Sequence, residues 1–178
     1  MIARVNAKVE KALRETMGGV PDVEEDRILA PLAPLTDAER AEAIFLSTII
    51  TCYVVIDVCD SQWPNDASVR RIAHGLATVG STAKRLQLDE REIYAYLTRT
   101  ALGPEPLDDV IPDRAKAESL AIIVAQAALA VYSPKDMGIW DYLDQIESAI
   151  EIAMALDATV LPAAVMRAYM PKPAAEGS

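Results

Sequence analysis

The stretch "STAKRLQLDEREIYAYLTR", residues 81–99, carries Lys84, Arg85, Arg91 and Arg99 on what reads as two short helices around a turn. Cations so placed offer phosphate binding, and Ala83, Leu86, Leu88, Ile93 and Tyr96 fall where a helix-turn-helix wants small or apolar residues. Two features oppose that chemistry. Gln87 stands where the turn usually has glycine, and the second helix opens with Asp89 and Glu90, which favour its dipole but repel DNA.

A second set of charges lies late in the chain. Between residues 136 and 166 stand Asp136, Asp141, Asp144, Glu147, Glu151 and Asp157, with no base before Arg167. Such a stretch lacks a local salt-bridge partner. Asp141, Asp144, Glu147 and Glu151 are therefore expected to form a docking surface for a basic partner protein. Arg70, Arg71, Lys84, Arg85 and Arg91 offer that face a counterpart, within the chain or in a second subunit.

The chemistry of catalysis is poorly represented. A di-iron bundle needs Glu-x-x-His pairs, and His74 is the only histidine. Cys52 and Cys59 lie in the most apolar run, seven residues apart along a helix, so they are expected to be reduced core residues rather than nucleophiles or a disulfide. The carboxylates of "DDVIPD" (108–113) read as helix capping. No phosphate-binding glycine loop and no paired Cys-x-x-Cys occurs. The expectation is a non-enzymatic protein that needs no cofactor.

The elements that would position these charges follow from composition and periodicity. Of 178 residues, 52% are hydrophobic but only 5% aromatic, and the mean hydropathy is +0.15, so Ala, Leu, Ile and Val must supply a closely packed helical core. Net charge is −10, with twelve acids against five bases after residue 102, which disfavours nucleic acid and anionic membranes as partners. "AIFLSTIITCYVVIDV" (43–58) is shorter than a membrane span needs and contains polar residues; it reads as a buried helix. The charged N-terminus lacks a signal-peptide centre, and a cytoplasmic location is expected.

Ile2, Val5, Val9, Leu13 and Met17 define an amphipathic arm closed by Gly18-Gly19. Pro21, Pro31 and Pro34 then point to an extended connector, giving an arm-plus-connector of 1–35 that packs on its own domain or on a second copy. Thr36 and Glu39 form a capping box for a helix reaching about Asp60, and an amphipathic helix covers about 66–79. From Asp113 a second apolar helix carries "LAIIVAQAALAVY" (120–132). Ile139, Leu143, Ile146, Ile150 and Ala153 mark the next helix, a short one near 162–169 closes the fold, and 171–178 reads as a disordered tail. No stretch alternates at period two. The fold class is all-α, a bundle of about six or seven helices.

A shift of 74 places "RAEAIFLSTII" (40–50) on "RAKAESLAIIV" (114–124), and a shift of 73 places "LDEREIYAYL" (88–97) on "LPAAVMRAYM" (161–170). The bundle, 36–170, then consists of two pseudo-symmetric halves, 36–102 and 110–170. An apolar helix entering an acidic turn, "VVIDVCDSQWPND" (54–66), and a Leu-rich closing segment, "EIAMALDATVLPAAV" (151–165), resemble the TerB-like domains of tellurite-resistance and stress proteins. That resemblance implies a stress- or defence-related, all-helical, internally duplicated fold and transfers cation binding only to Asp57 and Asp60, in a turn where Trp63-Pro64 stands near the place of the family's glycine. Three functions stay open: a basic-protein docking module, a DNA-binding regulator using 81–99, and a carrier whose Ala/Ile-rich core holds a small apolar ligand.

Overall fold

The computed structural model describes residues 5–18, 25–59, 64–78, 89–102 and 113–156. Among these are seven α-helices and no strand: α1 (Ala7–Met17), α2 (Glu25–Leu29), α3 (Asp37–Val58), α4 (Asp66–Thr78), α5 (Glu90–Leu102), α6 (Arg114–Tyr132) and α7 (Ile139–Leu156). The protein is an all-α bundle. Its second half is described only as far as α7; the closing helix expected at 162–169 and the tail 171–178 lie outside the described residues.

Helices α3 and α6 form the most extensive helix pair, and α4 with α5 the next. Every residue from Leu120 to Leu129 is buried, so α6 has no wet face over three turns. Along α3, buried Ser47 and Thr51 donate to the carbonyls of Ala43 (2.8 Å) and Ser47 (3.0 Å) four residues back, so an apolar core accepts both hydroxyls. The helix that contains the 43–58 run is longer than that run, 22 residues, so the expectation that it is too short for a membrane span is corrected: by length and composition alone α3 and Ala115–Tyr132 could each cross a membrane. Here they pack chiefly on each other.

Local signals set the helix starts. Thr36 Oγ1 accepts from the Glu39 backbone N–H while Glu39 Oε2 accepts from the Thr36 N–H at 2.8 Å, completing the capping box that opens α3. Asp113 Oδ1 accepts from Ala115 and Lys116 at the start of α6. Asn6 does the same for α1 by accepting from Lys8.

One expectation for the N-terminal region changes. The Pro-rich connector is not extended throughout: α2 and a 3-10 turn at Ala30–Leu32 form within it, and Ile28, Leu32 and Leu35 are buried. Pro31 fits because the first positions of a helical turn need no backbone donor. The arm also packs on its own bundle, with Val9, Leu13 and Met17 joining the single core cluster. Gly18 ends α1 with φ −85°, an ordinary value; the edge of the half-exposed Trp140 ring would lie 2.2 Å from an added Cβ, so a larger residue must displace that ring.

Candidate interaction surface

Helix α7 sorts its side chains by angle. At about 100° per residue, Tyr142, Leu143, Ile146 and Ile150 fall on one side and Asp144, Glu147 and Glu151 on another. The first four are buried. Glu147 sits at the border between the stripes, so its side chain is 24% exposed against 62% for Asp144.

The four acids expected to form a docking surface are not equivalent. Arg14 of α1 donates through one guanidinium nitrogen to Asp144 Oδ1 and Glu147 Oε2, both at 2.5 Å, and through Nε to Glu10 Oε1 at 3.1 Å. The cation that meets this stretch is thus Arg14 of the N-terminal arm, which is not among the basic residues expected to face it. Asp141 and Glu151 make no ion pair among the described residues.

The electrostatics follow from one cation shared by three anions. Arg14 is held well above its ordinary pKa, chiefly by its hydrogen bond to Asp144. Glu147 moves the opposite way for a paired acid: burial raises its pKa, and Glu10 and Glu151 add to that, against the pull of Arg14. Burial and like charge therefore outweigh the ion pair at Glu147. The face keeps an excess of negative charge after Arg14 is counted.

Behind this cluster lies an apolar recess between α1, α3 and α7. Its walls are Leu13 and Met17, Leu46 and Ile50, and Ile146 and Ile150, and Glu10, Arg14 and Glu147 stand among its lining. Its free volume is about 50 Å3, whereas pockets for drug-sized ligands run to roughly 300 Å3 and more. The recess suits one side chain.

The basic candidates fall differently. Lys84 and Arg85 lie outside the described residues. Arg91 and Arg99 are exposed on α5, but Ile93, Tyr96, Leu97 and Ala101 of that helix are buried in the core, and Tyr96 Oη donates to Thr48 Oγ1 at 3.2 Å. This helix is built into the bundle rather than held clear of it. Arg70 is engaged by Asp66 at 2.9 Å and lies 4.3 Å above the Tyr94 ring, and Tyr94 Oη donates to the same carboxylate. His74 meets Glu90 at 3.0 Å across α4 and α5.

For the cation reading, Asp60 lies outside the described residues, while Asp57 accepts from Tyr142 Oη at 2.8 Å. That bond ties α3 to α7. No group of three His, Cys, Asp or Glu side chains suited to a metal occurs among the described residues. Cys52 is buried and its thiol pushed up by desolvation, and Cys59 is half-buried; both are free.

Arg14 was missed because nothing local marks it. Its i,i+4 relation to Glu10 reads as an ordinary surface pair. Comparison with known families, curated proteins and solved structures finds no match. The TerB-like resemblance rests on the sequence motifs alone.

Proposed function

We propose that this chain is a non-enzymatic helical interaction module of the cytoplasm that binds a basic partner protein through the acidic face of α7. The observation that carries the reading is the charge imbalance around Arg14: three carboxylates share one guanidinium, and Asp141 and Glu151 continue the stripe without a cation. Complementary charge of this kind steers association and selects partners.

Charge reversal tests the reading at the two acids that make no hydrogen bond to Arg14. Binding of the full chain to a lysine-rich peptide, followed by fluorescence anisotropy, should weaken with salt and fall by about tenfold or more in Asp141→Lys/Glu151→Lys. Lys84→Glu/Arg85→Glu should leave it unchanged. Salt-sensitive binding to duplex DNA that is lost in Lys84→Glu/Arg85→Glu, with no peptide binding, would instead establish the regulator built on 81–99.

A further inference from the structure

We infer that the recess between α1, α3 and α7 receives the aliphatic stem of one lysine from the partner, with its ammonium seated between Glu10 and Glu147. The inference rests on the acidic-face reading and specifies which part of that face selects the partner.

Size is the first argument. A cavity needs roughly 10–15 Å3 of such free volume to hold one water, so about 50 Å3 takes a short chain of small groups but no drug-sized ligand. A lysine stem has four methylenes. Its walls are right for that stem, since Leu13, Met17, Leu46, Ile50, Ile146 and Ile150 are all apolar. Long cationic side chains bury their stems on such surfaces while the charged head stays at the water boundary.

Charge at the recess is the second argument. Glu10 gives Oε1 and Glu147 gives Oε2 to Arg14, leaving the other oxygen of each without a protein partner among the described residues. Glu10 is 37% and Glu147 24% exposed, so both are open to an incoming cation. A second cation there would relieve the repulsion among Glu10, Glu147 and Glu151 that helps hold the Glu147 pKa up. An anionic head group would meet Arg14 already shared by Glu10, Asp144 and Glu147, a net excess of negative charge that argues against a fatty acid as occupant. Arginine fits less well than lysine, because its planar fork needs two aligned acceptor directions and Arg14 already occupies one oxygen of each carboxylate.

The probe is n-butylammonium, added to the full chain with methyl groups observed by NMR. Saturable shifts at the methyls of Leu13, Ile146 and Ile150 are expected, with about tenfold weaker response to n-butanol and none to butyrate. Glu147→Gln, which keeps the side-chain shape, should weaken n-butylammonium about tenfold, and Ile150→Phe should fill the recess and remove the response. Equal response to n-butanol, or no response at these methyls, overturns the inference. If the lysine-rich peptide binds as tightly to Glu147→Gln and Ile150→Phe as to the parent chain, the recess is not used. The acidic face would then still stand as the docking surface.

Discussion

Arg14 and Asp144, 130 positions apart in the chain, meet at 2.5 Å and join the first described helix to the last. The guanidinium also holds Glu147, and through Glu10 it is anchored to its own helix. The contact fixes α1 over the apolar recess. It also sets how much negative charge α7 can show.

Removing this cation should separate its two long-range partners energetically. Arg14→Gln is expected to lower stability by about 1–2 kcal/mol, since the pairs are only partly buried and hydrogen bonds to charged groups are worth somewhat more than neutral ones. In a double-mutant cycle read by urea denaturation, coupling of Arg14 to Glu147 should exceed its coupling to Asp144, because Glu147 is the less exposed. Equal coupling would mean that burial plays no part in the contact.

Gly75 and Tyr132 give a prediction whose sign reverses with background. A Cβ at Gly75 would lie 2.2 Å from the Tyr132 hydroxyl oxygen but 3.5 Å from the ring carbon that bears it. Gly75→Ala should therefore cost about 1–3 kcal/mol in the parent chain. In Tyr132→Phe the clash disappears and the helix propensity of alanine remains, so the same substitution should stabilise by up to about 1 kcal/mol. Thermal melts of the four proteins decide it.

Local features of the fold were legible because their causes are local. Thr36 with Glu39, and Asp113 before an apolar run, identify helix starts within four residues, and the 3.6-residue period of α7 separates its buried and charged stripes. Pro31 misled because proline excludes a helix interior but not a first turn. Gly18 read correctly as the end of α1, while its packing against Trp140, more than a hundred residues away, has no periodic signature. The same holds for Arg14. The acidic stripe was visible, its internal cation was not, and the recess needs three helices from separate parts of the chain.

Gln126 tests whether a polar group deep in α6 contributes by bonding or by volume. It is 2% exposed, and its amide nitrogen donates to the Thr16 carbonyl at 2.9 Å, whereas its Oε1 has no partner among the described residues. Leucine would lose the bond but also remove the unsatisfied oxygen at similar volume, so Gln126→Leu should fall within about 1 kcal/mol of the parent. Gln126→Ala leaves a cavity and should cost about 2–4 kcal/mol. A loss above about 2 kcal/mol for the leucine variant, measured in urea, would show that the tie to α1 outweighs the orphaned oxygen.

Stability should fall at both extremes of pH, for separate reasons. Glu39 is held down to about 2 by its hydrogen bonds to Lys8 and to the Thr36 backbone, so its contribution is complete above the ordinary value of 4.5 and is lost as pH drops toward 2. Glu147 acts in the opposite sense. Its raised pKa means the folded chain binds that proton more readily than the unfolded one, so it partly offsets the acid loss. Urea midpoints against pH should thus show a shallower acid limb in Glu39→Gln and a steeper one in Glu147→Gln. On the alkaline side, burial pushes Tyr96 up to about 12 and also raises Tyr132 and Tyr142. Above about pH 10 the unfolded chain ionises these phenols while the folded chain resists, and the fully buried Tyr96 alone contributes up to about 1.4 kcal/mol per pH unit until its own ionisation near 12. Tyr96→Phe should remove one such share of the slope between pH 10 and 12, and an unchanged alkaline limb would show that this phenol is not held neutral by the core.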